Sequence, residues 1–182
     1  MEVVEEKVDT NTAKQLKDEG NDHFKRQDYV SAVSCYTEAL EHAEDDEMRV
    51  ILHSNCSLAH LKQEDYELAI KSAGEALKID KTHCKSRLRR ATAYEAKGNL
   101  FLALEDYKAV AEVALDAHPW LTRKIREIEP EAERQKQTEM KEALGQLRGL
   151  GDSLLKPFGL STNNFAVKKD EGTGQFSISM KK

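Results

Sequence analysis

The sequence has few of the residues that build disulfide-bonded, β-rich or membrane-spanning proteins. Its 182 residues include 3 cysteines without C-x-x-C spacing, so neither a disulfide framework nor a zinc knuckle is indicated. Aromatic residues make up only 6% and charged residues 34%, a balance that favours amphipathic helices over a β sandwich or barrel. No apolar run approaches the roughly 18–20 residues that a transmembrane helix needs. We expect one compact helical domain without membrane insertion.

Catalytic and nucleic-acid-binding signals are also missing. The formal net charge of −5 argues against a general nucleic-acid binder. There is no H-E-x-x-H pair, no G-x-S-x-G elbow and no phosphate-binding loop, so a hydrolase is the least favoured of the functions considered. The acidic start, Met1 to Asp9, is unlike a signal peptide. We predict a cytoplasmic, non-catalytic protein with no metal and no cofactor.

What the sequence does contain is an internal repeat. Three copies of a pattern of mostly small residues, with an aromatic residue at the third position of two copies, keep the spacings 12, 4 and 3. The copies start 37 and then 34 residues apart. They are Gly20, Ala32, Tyr36 and Ala39; Ser57, Ala69, Ala73 and Ala76; and Ala91, Ala103, Tyr107 and Val110. This pattern resembles the tetratricopeptide repeat (TPR) family, in which small residues let paired helices approach closely.

The resemblance implies an all-α, right-handed superhelical solenoid of three helix-turn-helix repeats. We predict helix pairs at 12–44, 49–79 and 83–115, after an acidic segment at 1–11. Thr12-x-x-Gln15 indicates a capping box that opens the first helix, and Gly98-Asn99 indicates a turn within the third pair.

Beyond the repeats, Pro119 and Pro130 each mark a helix start, so we predict two capping helices within 116–149. Their apolar residues, spaced to cover the last repeat, are Trp120, Leu121, Ile125 and Ile128. The arm at 150–182 contains two alternating stretches around Gly172-Thr173-Gly174, which indicate a small hairpin or a flexible arm. This end resembles the C-terminal segment of one member of the same family.

Polar residues at matching positions of the first helices converge on the concave face of such a solenoid. Lys17 and Asn21 lie four residues apart, and Asn55 and Arg89 lie 34 apart at the same position of consecutive repeats. The candidate peptide-binding residues are Lys17, Asn21, Asn55, Lys85 and Arg89. They resemble the two-carboxylate clamp of chaperone-adaptor TPR domains.

That resemblance implies a partner, the acidic C-terminal tail of a seventy- or ninety-kilodalton heat-shock chaperone that ends in Asp. By the same resemblance, the first three candidates would hold the main-chain carboxylate, Lys85 the Asp side chain and Arg89 a group farther up the peptide. Phe24 and Leu58 are either an apolar peptide pocket or helix-packing core. Arg87 and Arg90, beside the last two candidates, are expected to form a basic helix surface.

A rival hypothesis keeps the same fold and changes the partner. In it, a scaffold binds a small GTPase or a G-protein subunit through its convex face or its C-terminal arm. Only binding in the groove requires Lys85 and Arg89. A second protein partner, the preferred chaperone and the role of the arm stay open, and we expect a monomer.

Overall fold

The computed structural model describes residues 10–169 and 176–180. Within this part, two compact units divide at Glu133 and Arg134. The helices are α1 (Thr10–Lys25), α2 (Tyr29–Glu41), α3 (Asp46–Lys62), α4 (Tyr66–Ile79), α5 (Cys84–Ala96), α6 (Leu100–Ala114) and α7 (Trp120–Leu155). The strands are β1 (Phe165–Lys169) and β2 (Phe176–Met180). None of the described helices is long and apolar enough to cross a membrane.

The first unit consists of three consecutive helix pairs, which confirms the predicted helical repeat fold. Each helix from α1 to α6 packs on the next, and α3 also contacts α5. The repeated small residues explain this packing, because Ala32, Ala69 and Ala103 are fully buried at the same position of successive pairs. The contact between α3 and α5 places the first helices of the second and third pairs side by side.

Gly20 shows why a small residue is needed at the first repeat position. A Cβ atom placed there would lie 2.6 Å from Cε1 of Tyr36 and 3.2 Å from the carbonyl oxygen of Ala32. Both neighbours belong to α2, so glycine allows α1 and α2 to approach closely. Ser57 fills the equivalent position in the second pair, where its hydroxyl donates a hydrogen bond to the carbonyl oxygen of Ala69 at 2.8 Å.

The turn inside each pair repeats one backbone conformation. Gln27, Glu64 and Gly98 have φ values of 64°, 61° and 79°, and they are spaced 37 and 34 residues apart like the helices. The left-handed conformation ends a helix and reverses the chain. The turn predicted at Gly98-Asn99 is confirmed, with Asn99 at the N-cap of α6.

The first helix does not begin at the predicted capping box. α1 starts at Thr10, so Thr12 lies inside the helix and the prediction of an N-cap there is wrong. Thr10, Asn11 and Thr12 are all residue types that cap helices, so the motif alone does not fix the start. The predicted acidic segment falls largely on residues 1–9, outside the described residues.

α7 corrects the prediction of two capping helices, because it is one helix with Pro130 inside it. A proline within a helix removes a backbone hydrogen bond and costs about 3 kcal/mol. Packing on both sides offsets this cost, since Ile128 is 7% exposed and Ala132 is fully buried. Leu121 is also fully buried, in one cluster with Ala103 and Tyr107 of α6, whereas Trp120 is 43% exposed.

In the second unit, the two alternating stretches pair as antiparallel strands. Phe165 lies opposite Met180, and Lys169 lies opposite Phe176. Before them, Asp152 of α7 accepts a hydrogen bond from the backbone N–H of Thr162 at 2.5 Å. Gly172-Thr173-Gly174, the predicted turn, lies outside the described residues.

Candidate functional site

Asn21 is held in place by a tyrosine from the neighbouring helix. The hydroxyl of Tyr36 on α2 donates to Oδ1 of Asn21 on α1 at 2.8 Å. Burial raises the pKa of Tyr36 to about 12, so the hydroxyl remains a donor at neutral pH. Because the amide oxygen of Asn21 is occupied, its NH₂ group is the part left to donate to a ligand.

Arg89 is a cation held among helices. One guanidinium nitrogen donates to the hydroxyl of Ser54, which links α5 to α3. Burial lowers the pKa of Arg89 to about 10, and the nearby Tyr36 counteracts part of this effect. The guanidinium remains charged at neutral pH, and a partly desolvated cation of this kind interacts strongly with a carboxylate.

These contacts form two hydrogen-bonded pairs from four helices, Asn21 with Tyr36 and Ser54 with Arg89, which together we call the polar cluster. Tyr36 belongs to the first pair, in which its hydroxyl donates to Asn21. Tyr36 and Ser54 were not among the candidates predicted from the sequence. The signal was present for Tyr36, which is one of the repeated residues, whereas a buried serine gives no pattern of its own.

The other candidate residues lie on the predicted helices. Lys17 is one helical turn before Asn21 on α1, with its ammonium group 3.9 Å from the exposed carboxylate of Asp18. Asn55 is half-buried on α3, next to Ser54 in the chain. Lys85 is exposed on α5 and lines a depression of about 550 Å³ together with Glu47 and Ile51 of α3.

A second depression, of about 540 Å³, adjoins Arg89. Leu58, Leu61 and Leu88 supply apolar lining, and Trp120 contributes its half-exposed ring. Leu58 therefore lies beside a candidate binding residue, where it could contact an apolar ligand side chain.

Phe24, the other residue considered for a peptide pocket, does not line this depression. It packs against the buried cluster that contains Tyr36 and Leu52. Its ring also makes an edge contact with Tyr29, with the ring centroids 5.2 Å apart. Phe24 thus packs between helices, one of the two alternatives that the sequence left open, whereas Leu58 lines the depression beside Arg89.

Arg87 and Arg90 do not form the basic surface that was predicted. Arg90 donates two hydrogen bonds to Asp106 of α6, at 2.7 and 2.8 Å. Arg87 lies 3.5 Å from the same carboxylate. Asp106 is 3% exposed, so the charges are drawn inward to neutralise a buried carboxylate. These two arginines pack α5 against α6 rather than steering a ligand.

One group of side chains has metal-ligating types. Glu19, His23 and Cys35 each offer one ligand atom, and these three atoms all lie within 4.8 Å of one another. Nδ1 of His23 is already bonded to Asp28 at 3.1 Å. Burial and the nearby Glu19 raise the pKa of the Cys35 thiol.

No protein-family model matches the chain. Protein unc-45 homolog B from Xenopus laevis is 39% identical to it over 97 residues, which are 53% of this chain and 10% of that protein. Human serine/threonine-protein phosphatase 5 is 38% identical over 101 residues, which are 56% of this chain and 20% of the phosphatase. The chain thus spans a fifth or less of the length of these relatives.

Three solved structures share the fold. The first TPR of Spaghetti (RPAP3), bound to the HSP90 peptide SRMEEVD, has a TM-score of 0.61 and 28% identity, covering 68% of this chain and 94% of that chain. The second TPR of the same protein, with the same peptide, has a TM-score of 0.53 and 33% identity, covering 57% and 94%. The second TPR domain of human RPAP3, with the HSP70 peptide SGPTIEEVD, has a TM-score of 0.58 and 29% identity, covering 65% and 95%.

Proposed function

Because the chain belongs to the tetratricopeptide repeat family, we propose that the face formed by α1, α3 and α5 binds the acidic C-terminal tail of a heat-shock chaperone. Similar solved domains support the proposal, since they are bound to HSP90 and HSP70 peptides that end in Glu-Glu-Val-Asp. In this proposal the protein is a cytoplasmic, non-catalytic adaptor.

The observation that carries the proposal is the polar cluster. In it, the charge of Arg89 and the amide of Asn21 are each fixed by a hydrogen bond with a residue of another helix. Fixed donors lose little conformational freedom when a ligand binds, so more of their interaction energy appears as affinity. A terminal aspartate has two carboxylates, which match a surface that offers both cations and neutral amide donors.

The five candidate residues have distinct proposed roles. Lys17, Asn21 and Asn55 bind the main-chain carboxylate, so that one cation supplies charge and two amides supply directed donors. Lys85 binds the side chain of the terminal aspartate from its exposed position on α5. Arg89 binds a carbonyl or carboxylate farther up the peptide, where Leu58 and its neighbours accommodate apolar side chains.

The expected affinity is moderate. Hydrogen bonds to charged groups contribute about 1.5–3 kcal/mol each before the cost of ordering a flexible tail is subtracted. We therefore expect micromolar binding, about −8 kcal/mol.

Calorimetric titration of the whole chain tests the proposal. The two peptides are SRMEEVD and SGPTIEEVD, each compared with a C-terminally amidated twin. Amidation removes one carboxylate and should abolish measurable binding. Arg89→Ala should weaken binding at least about tenfold, roughly 1.4 kcal/mol. Comparison of the two peptides also shows which chaperone class is preferred.

Lys71→Ala is the matched control, because Lys71 is an exposed cation on α4, a second helix of its pair. It should leave the affinity unchanged. If neither peptide binds, or if amidation has no effect, the clamp proposal is wrong. The rival scaffold hypothesis would then direct the search to the convex face and the C-terminal arm.

A further inference from the structure

The C-terminal half of α7 has an exposed apolar face. Met140, Leu144, Leu147 and Leu154 follow one another at intervals of four, three and seven residues, which places them on one side of the helix. Their exposed fractions range from 59% to 75%. We call these four residues the α7 stripe. An exposed apolar face of this kind on an otherwise charged helix indicates an interaction surface.

A groove of about 820 Å³ runs along this face, entirely within the second unit. Met140, Leu144 and Leu147 supply apolar lining, and Thr162 lines it from the segment that follows α7. Gly145 widens the groove, because a Cβ atom placed on it would meet nothing within 4 Å. The shape suits an elongated apolar ligand such as another helix.

Charge distinguishes one edge of the groove. Lys141 and Arg148 line it, and they lie seven residues apart, immediately after Met140 and Leu147. If Leu144 is given the a position of a heptad, the other stripe residues take d positions. Lys141 and Arg148 then both occupy e positions, which face the flank of a partner helix. A partner that matches this edge has acidic residues there.

We propose that the α7 stripe binds an amphipathic helix of another protein, with its apolar row flanked by glutamate or aspartate. This site is separate from the proposed chaperone-tail site, since it uses none of the residues of the polar cluster. The protein would thereby hold two partners at once, one on each unit.

A second copy of this chain, if it packs antiparallel, is a poorer occupant. In an antiparallel pair, the e positions face one another, so Lys141 and Arg148 would oppose the same basic residues of the other copy. Like charges in this position are unfavourable.

A lipid surface fits less well for a related reason. Membrane-surface helices combine their apolar face with a strongly basic polar face. Here Glu139, Glu142 and Asp152 share the polar surface of α7, and the chain as a whole has a net charge of −5. Anionic lipid would therefore gain little attraction from this helix.

A synthetic peptide of three heptads tests the proposal. It has leucine at the a and d positions, glutamate at e and g, and a fluorescent label; its twin has lysine in place of glutamate. Repulsion between like charges disfavours self-association of either peptide. With the whole chain, fluorescence anisotropy should show binding of the acidic peptide and at least about tenfold weaker binding of its basic twin.

Two variants make the test specific. Lys141→Glu with Arg148→Glu should reverse the preference between the two peptides, whereas Leu144→Ser with Leu147→Ser should abolish binding of both. All four side chains are exposed, so circular dichroism should show an unchanged helical fold. Lys71→Glu with Lys81→Glu, an equal charge change on exposed residues of the first unit, is the control and should change neither affinity.

The proposal is overturned by any of three results. The first is equal affinity for both peptides. The second is a concentration-dependent dimer in sedimentation that the two serine substitutions abolish, since a second copy would then be the occupant. The third is binding to phosphatidylserine vesicles without binding to the acidic peptide. The stripe variants should retain binding to SRMEEVD, so failure here is distinct from failure of the chaperone-tail proposal.

Discussion

At the scale of single residues, the candidate site depends on two hydrogen bonds between helices. Tyr36 fixes the amide of Asn21, and Ser54 fixes the guanidinium of Arg89. The residues that would contact a peptide could be proposed from helical spacing and resemblance. Of the residues that hold them, Tyr36 was marked by the repeat pattern, although not as a hydrogen-bond donor, whereas the buried Ser54 gave no pattern of its own.

Tyr36→Phe should weaken binding of SRMEEVD without removing any residue proposed to contact it. The lost hydroxyl no longer holds the amide of Asn21, an effect of about 0.5–1.5 kcal/mol, or roughly two- to tenfold in affinity. In a double-mutant cycle by calorimetry, Tyr36→Phe should have no additional effect on an Asn21→Ala background.

Tyr29→Phe serves as the control, because Tyr29 begins α2 and packs on Phe24 outside the polar cluster. It should leave the affinity unchanged. If Tyr36→Phe binds the peptide as well as the unmodified chain while Asn21→Ala does not, Tyr36 has no positioning role.

At the scale of elements, the three helix pairs use one turn with different residues. Gln27, Glu64 and Gly98 all adopt positive φ, yet only the last is glycine. The left-handed conformation costs an ordinary L-residue about 1–2 kcal/mol. The first two pairs therefore contain local strain that the third avoids.

Glu64→Gly should stabilise the fold and Gly98→Ala should destabilise it, each by about 1 kcal/mol, because part of the strain is offset by the flexibility of glycine in the unfolded chain. Urea unfolding measures both changes. Gly74→Ala, by contrast, should stabilise the fold, because a Cβ atom there meets nothing within 4 Å and alanine favours the helix. Destabilisation by Glu64→Gly would show that the turn is not strained.

At the scale of the whole molecule, partly buried histidines should make the fold less stable at a higher pH than the pH at which peptide binding weakens. Burial lowers the pKa of His53, His60 and His83. Below pH 6.5 the unfolded chain therefore takes up protons that the folded chain resists, and stability falls as the pH falls. Arg89, with its pKa of about 10, keeps its charge throughout this range.

The melting temperature should thus decrease as the pH is lowered from 7.5 to 5.5. A variant that combines His53→Gln, His60→Gln and His83→Gln should show a smaller decrease.

Peptide affinity should stay constant between pH 8 and 6.5 and weaken only near 4, where the peptide carboxylates become protonated. Calorimetry across this range, at temperatures where the chain is folded, checks the second expectation. A loss of affinity already by pH 6.5 would assign the interaction to histidine.

The sequence by itself determined the repeat, because the spacing of its small residues reflects a packing requirement that recurs in every pair: Ala32, Ala69 and Ala103 are buried wherever two helices meet. It also placed the candidate clamp residues on the correct helices. Only the tertiary structure decided that Arg90 neutralises Asp106, that α7 continues through Pro130 and that the α7 stripe remains exposed. These outcomes depend on which surfaces meet across long sequence separations, where packing and charge pairing outweigh local preference.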